Sequence, residues 1–235
     1  MPSLNWEHIT GQLTTDGFAS LRGVLGAGRA RAWARELLAA DERLRYLDDG
    51  ELPAPLDTWR RRLYERLVPI ADSWNEAMGN SKRFPAEWSD FLACNQAAEH
   101  RRAQSFVHRI RESNYEPLHQ SNEGEHVFPL QLVMLLSEPG ADFSGGELVI
   151  TEQRPRMQTR PLVLPLGLGD AALIPTAKRP VKGSRGSYST NAKHGVSRVR
   201  SGERVGLELC FHYAPSAVRG RDGKPYQSRA PRTSR

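Results

Sequence analysis

The pattern of apolar residues changes at Ser105, and that break limits the architectures open to the chain. Upstream, residues 4–45 carry Leu13, Phe18, Leu21 and Leu25, then Ala32, Trp33, Leu37 and Leu38, at spacings that predict helix. A turn-rich segment from Asp48-Asp49-Gly50 to Pro53-Ala54-Pro55 interrupts it. Residues 58–78 follow with Trp59, Leu63, Leu67, Ile70 and Trp74 on one helical face, and 86–98 read as a shorter helix. Downstream the apolar runs are short and separated by Gly, Pro and Asn: 106–111, 118–119, 127–137, 147–151, 160–165, 171–175 and 205–213. A helical preface followed by many short strands predicts an α+β chain, a β-sandwich or barrel with helices on one face.

A chain of 235 residues with 38% hydrophobic content can enclose one sizeable core. Residues 1–217 are read as a single domain, with a helical preface 1–104 and a β core 105–217. Met1-Pro2-Ser3-Leu4-Asn5-Trp6-Glu7 has neither the basic nor the apolar stretch of a secretory signal, and no apolar run approaches the roughly 18 residues of a membrane span. A cytoplasmic protein with no membrane partner is expected. Cys94 and Cys210 are too few and too far apart for a disulfide framework or a Cys-x-x-Cys site, so both are read as buried spectator thiols. The net charge of +6 is unevenly spread: residues 1–153 carry −7, residues 154–204 carry +9, and the tail 218–235 carries +5. The tail has almost nothing to bury and is expected to be disordered. A local basic segment suits a small anionic substrate as well as a phosphate backbone, so whole-chain charge does not by itself argue for nucleic acid.

The residues that carry chemistry begin at Tyr115-Glu116-Pro117-Leu118-His119-Gln120-Ser121-Asn122-Glu123-Gly124-Glu125. His119 ends an apparent strand two residues before a small residue. His194 stands at the mouth of a later strand, and Arg204 follows it by ten residues. A guanidinium has the planar fork for two-point binding of a carboxylate. His108, His126 and His212 are read as ordinary packed or exposed histidines, and Trp59, Trp74 and Trp88 as core.

Together with the turn Phe143-Ser144-Gly145-Gly146-Glu147-Leu148 and the strand entry at Gly169-Asp170, these residues resemble the Fe(II)/2-oxoglutarate-dependent oxygenase superfamily in its prolyl-hydroxylase-like branch, over about half of the chain. The resemblance implies a double-stranded β-helix (jelly roll) with N-terminal helices packed on one face. It implies Fe(II), 2-oxoglutarate and O2 as cofactors, His119 and His194 as iron ligands, and Arg204 as the holder of the distal carboxylate of 2-oxoglutarate, with Arg198 and Arg200 as fallbacks. Tyr115, just before the first ligand, and Gln131, on the adjoining strand, are read as lining the 2-oxoglutarate pocket.

The departure from the family pattern is Ser121, where its His-x-Asp motif has a carboxylate to complete two-His-one-carboxylate ligation. Family members with Gly or Ala there are radical halogenases. The resemblance therefore implies that chloride fills the vacancy and that the enzyme chlorinates an unactivated C–H bond, with Ser121 deciding the chemistry. Two readings stay open beside it. Glu123 or Glu125 supplies the third ligand and the enzyme hydroxylates, or the site is degenerate and binds a ligand or nucleic acid without turnover.

Lys178, Arg179, Lys182, Arg185 and Lys193, among Gly183, Gly186 and Ser187, have the composition of a phosphate-binding loop. A merely solvated basic face fits the same residues. The substrate expected is a small anionic molecule, a free nucleotide by preference, contacted by Arg179, Lys182 and Arg185. Nucleic acid is disfavoured, because alkylation-repair oxygenases normally keep the carboxylate that Ser121 replaces. The sequence leaves the oligomeric state open.

Overall fold

A computed structural model describes residues 4–39, 41–184 and 186–216. The basic tail 218–235 and Arg185 lie outside the described residues.

The stretch 4–45 is not one helical block. Helix α1 (Trp6–Thr15) opens at Asn5, whose side chain accepts the His8 N–H as an N-cap. Strand β1 (Ala19–Leu21), helix α2 (Ala27–Glu36) and strand β2 (Leu44–Tyr46) follow. Tertiary pairing overrides the helical pattern here: β1 joins the end of a sheet, with Ala19 opposite Leu173, and buries Ala19 and Leu21 while Ser20 stays half-buried. After a 3-10 turn (Asp49–Glu51), helices α3 (Ala54–Ala77) and α4 (Trp88–Ala97) form where the periodicity places them.

The later chain supplies β3 (His100–Arg102), β4 (Phe106–Arg111), β5 (Glu116–His119), β6 (Leu130–Leu135), β7 (Phe143–Gly145) and β8 (Leu148–Gln153). It continues with β9 (Arg160–Leu164), β10 (Ala171–Pro175), β11 (Lys178–Gly183), β12 (Gly186–Val196), β13 (Val199–Leu209) and β14 (Ala214–Pro215). These strands form three separate antiparallel sheets. A seven-stranded sheet has the order β1-β10-β6-β13-β4-β2, with β7 also on β13; a five-stranded sheet has the order β11-β12-β8-β9, with β5 also on β12; and β14 pairs β3.

None of the sheets closes into a barrel or jelly roll, which corrects the double-stranded β-helix implied by the resemblance. The α+β composition stands. The two large sheets meet through side chains, not through hydrogen bonds between their edge strands. The basic segment expected as an open loop is also different, for β11 and β12 form a hairpin running from Lys178 opposite Asn191 to Gly183 opposite Gly186.

Strand β13 shows how the core divides. Side chains alternate across a strand, so Val205, Leu207 and Leu209 face one way and join Ile9, Trp33, Leu63 and Phe91 of the helices in the larger apolar cluster. Arg204, Gly206, Glu208 and Cys210 take the other face, toward the five-stranded sheet. A second, smaller apolar cluster fills part of that space, with Val133, Leu135 and Ile174 from one sheet and Leu148, Ile150 and Val196 from the other. Burying a Leu or Val contributes roughly 2 kcal/mol. The helix-facing side of β13 thus stabilises a strand whose opposite face carries charge.

Candidate metal centre

Strands β5 and β12 are antiparallel neighbours, and their register sets His119 directly opposite His194. Residues so placed lie about 5 Å apart at Cβ, and the two imidazole centroids are 4.2 Å apart. The pairing then shifts between His194 and Val196, where the partner is Glu116. Glu116 lies 3.2 Å from the buried Nδ1 of His108. Burial alone would raise the Glu116 carboxyl, but the adjacent His108 ring and the two histidines beyond it hold it below the ordinary carboxylate value.

The facing sheet contributes the third group. Glu208, 1% exposed, brings Oε2 to 3.0 Å from Nε2 of His194 and 3.9 Å from Nε2 of His119. Burial works against protonation of His194, yet the adjacent Glu208 carboxylate leaves it above its ordinary value. His119 Nδ1 lies 3.0 Å from the Pro117 carbonyl. A carbonyl only accepts, so Nδ1 carries the proton and Nε2 holds a lone pair on the Glu208 side. Gln131, fully buried on β6, places its amide nitrogen 2.9 Å from His194 Nε2, and its amide oxygen accepts the Cys210 thiol at 3.4 Å.

One ligand atom from each of His119, His194 and Glu208 lies within 4.8 Å of the others. Two imidazoles and a carboxylate are the donor set of the facial triad that holds non-haem Fe(II) with positions left open. The oriented lone pair of His119 and the carboxylate pressed against His194 fit a bound cation.

Other expected site residues are scattered. Ser121 is buried and borders the same cavity as His119, but the carboxylate of the cluster comes from Glu208. Glu123 is half exposed and paired with Arg102, and Glu125 is exposed. Tyr115 is 59% exposed on the surface. Arg204 is 1% exposed; its Nε donates to the Gly146 carbonyl at 2.9 Å, and burial pulls its guanidinium down to about 10 despite the opposing pull of Glu116 and Glu208. Gly145 and Gly146, with φ of +70° and +63°, make the turn that presents this carbonyl. Arg198 and Arg200 are exposed. Arg179 is buried and ion-paired to buried Glu152, and Lys182 is exposed on the β11 and β12 hairpin. Arg204 borders a cavity of about 320 Å³ walled by Phe143, Leu148 and Leu166. His119 and Glu116 border another of about 380 Å³, with Tyr46, Arg102 and Phe106.

Residues 42–214 match the Oxygenase-NA family, described as "Oxygenase, catalysing oxidative methylation of damaged DNA". The chain belongs to that family. Two uncharacterized proteins of Mycobacterium tuberculosis, from strains CDC 1551 / Oshkosh and ATCC 25618 / H37Rv, are each 39% identical over 166 residues, 69% of this chain and 71% of theirs. Among solved structures, a prolyl 4-hydroxylase of Phytophthora capsici aligns with a TM-score of 0.53 at 16% identity, over 93% of this chain and 68% of that one. A Pseudomonas putida prolyl-4-hydroxylase aligns with a TM-score of 0.50 at 15% identity, over 88% and 98%. An oxidoreductase of the 2OG-Fe(II) oxygenase family from Burkholderia pseudomallei aligns with a TM-score of 0.50 at 16% identity, over 91% and 93%. These likenesses speak to the fold.

This Oxygenase-NA chain therefore carries a catalytic centre of the Fe(II)/2-oxoglutarate-dependent oxygenase type, with a two-His-one-Glu triad. The halogenase expectation is overturned, because a carboxylate stands in the cluster where Ser121 was taken to leave a vacancy for chloride. The alternative reading named Glu123 or Glu125, but its internal carboxylate ligand fits the cluster better than a vacancy for chloride does. Glu208 is invisible to the family's His-x-Asp spacing, which places the carboxylate beside His119. Its signal was a lone carboxylate inside Val205-Gly206-Leu207-Glu208-Leu209, in phase with Arg204.

Proposed function

We propose that the protein is a hydroxylase-type oxygenase, with Fe(II) held by His119, His194 and Glu208 and the distal carboxylate of 2-oxoglutarate held by Arg204. One oxygen atom of O2 enters a substrate C–H bond, and the other oxidises 2-oxoglutarate to succinate with release of CO2. The observation that carries this reading is Glu208: it supplies the anionic ligand from within the chain. The metal, when bound, supplies activation of O2 and stabilisation of developing charge. The chain's own part is positional. The Pro117 carbonyl orients the His119 imidazole, and the apolar wall of the Arg204 cavity strengthens an ionic contact made there.

For the substrate, the family description names damaged DNA, and we take the target to be an alkylated base, because a methyl C–H on nitrogen is open to the chemistry of this centre. Hydroxylation of a methyl group on a base nitrogen gives a hydroxymethyl group, which leaves as formaldehyde and restores the N–H. The cavity beside His119 presents Tyr46 and Phe106, aromatic surfaces on which a base can stack, with Arg102 nearby. The free nucleotide expected from the basic segment loses its support, since Arg179 is buried against Glu152. The test is anaerobic loading with Fe(II) and 2-oxoglutarate, then O2, with methylated oligonucleotides and free nucleotides in chloride buffer. Succinate with formaldehyde from the oligonucleotide supports the reading. A chlorinated product, or equal succinate from a Glu208→Ala variant, overturns it.

A further inference from the structure

We infer that His108 and Glu116 are positioning residues for Arg204, forming a buried line that aims its guanidinium at the co-substrate carboxylate. This rests on the reading of Arg204 as the 2-oxoglutarate anchor. The protonation pattern of the line follows from which groups can donate. Arg204 Nη1 lies 3.2 Å from His108 Nε2, and a guanidinium only donates, so Nε2 must hold a lone pair. The proton of the neutral ring then sits on Nδ1, and the Glu116 carboxylate, 3.2 Å away without an aligned hydrogen bond, favours it there electrostatically. Nε of the same guanidinium donates to the Gly146 carbonyl. Two edges of the fork are thereby fixed by the chain, and the remaining N–H groups are left for a ligand.

The line depends on one backbone position. His108 on β4 is register partner to Gly206 on β13, and the Arg204 side chain crosses that residue to reach the ring. A Cβ at position 206 would stand 2.4 Å from His108 Nε2 and 2.6 Å from Arg204 Nη1. Glycine is required there by the close approach of the two side chains. His108, at 4% exposed, and Arg204, at 1%, are too deep for water to substitute freely for a lost partner.

The test measures 2-oxoglutarate affinity by anaerobic calorimetry on Fe(II)-loaded protein, alongside KM and kcat. His108→Leu and Gly206→Ala are expected to weaken 2-oxoglutarate binding by about tenfold or more, the scale of one lost hydrogen bond to a charged group, and Glu116→Gln by about threefold, since its contact with the ring is electrostatic. For His108→Leu and Gly206→Ala the KM for 2-oxoglutarate should rise while kcat at saturating 2-oxoglutarate holds within about threefold. His108→Gln, whose amide oxygen can accept from Nη1, should restore affinity to within about threefold of the parent. His108→Asn, too short to reach, should not, and this pair decides the matter if His108→Leu fails to fold. Equal affinities for His108→Gln and His108→Asn overturn the inference while Arg204 keeps its role. Parent-like binding by Arg204→Met instead removes the anchor itself and overturns both readings.

Discussion

The Glu208 carboxylate lies 3.0 Å from Nε2 of His194 across the space between two sheets, although the two residues are only 14 positions apart in the chain. The tight turn from β12 to β13 sends the chain from the five-stranded sheet to the seven-stranded one, so Glu208 faces the strand its chain has just left. The carboxylate of the metal site thus comes from the second sheet, while both histidines come from the first.

Removing that carboxylate should remove the metal. Glu208→Ala is expected to weaken Fe(II) binding by more than the roughly 10- to 100-fold typical of losing a partner outside the ligand sphere, with succinate formation lost alongside. Ser121→Ala should leave both within about threefold of the parent, since Glu208 completes the donor set and a neutral hydroxyl adds little to it. Equilibrium titration with Fe(II) under anaerobic conditions checks the pair.

Arg204 carries a charge that burial disfavours, with its guanidinium held near 10 instead of 12.5. Because the folded value is the lower one, the cost, on the order of 3 kcal/mol, is present below pH 10 and is relieved as pH rises through it. Arg204→Met should therefore melt at or above the parent temperature at neutral pH. The further rise in Tm that 2-oxoglutarate gives the Fe(II)-loaded parent should be absent in this variant, and 2-oxoglutarate affinity of the parent should decline as pH climbs past about 10. Thermal melts with and without 2-oxoglutarate read both effects.

His212 gives the fold a weakness toward acid. Burial pulls this ring down to about 4, and neither ring nitrogen finds an aligned hydrogen bond. Between pH 6.5 and about 4 the unfolded chain takes up a proton that the folded chain refuses. Stability should therefore fall on acidification, by about 1.4 kcal/mol per pH unit from this group. Urea midpoints at several pH values, compared between the parent and His212→Leu, isolate the effect; parallel losses in the two proteins would assign the acid sensitivity elsewhere.

Arg179 was expected to touch substrate, but its place against Glu152 makes it a structural group. Arg179→Ala leaves a buried carboxylate without its partner, which typically costs 3–5 kcal/mol. The urea midpoint should drop sharply while KM for the substrate stays within about twofold at a temperature where the variant is folded. A raised KM with an unchanged midpoint would return Arg179 to the substrate surface.

How much of this could be read in advance depends on the range of the interaction. Helices α3 and α4 follow from periodicity, because the spacing of Leu63, Leu67 and Trp74 and the helix that uses it are both local. His119 and His194 were legible as a pair because their order and context along the chain resemble a known family. The paired glycines at 145 and 146 announced a turn, since few other residues tolerate positive φ. Strands β1 and β2 were hidden inside a helical pattern, because what makes Ala19 and Leu21 a strand is the open side of β10.

The sequence by itself determined which residues share a face. Alternation along β13 puts Arg204, Gly206, Glu208 and Cys210 on one side and apolar residues on the other, whatever lies across from them. Only the tertiary structure decided what that face meets. Register between β5 and β12 set His119 against His194, and the packing of one sheet on the other brought Glu208 to both. Strand register and sheet packing are cooperative properties of distant segments, and no local spacing around His119 encodes them. The third ligand, and with it the distinction between hydroxylation and halogenation, therefore became visible only once the two sheets were in place.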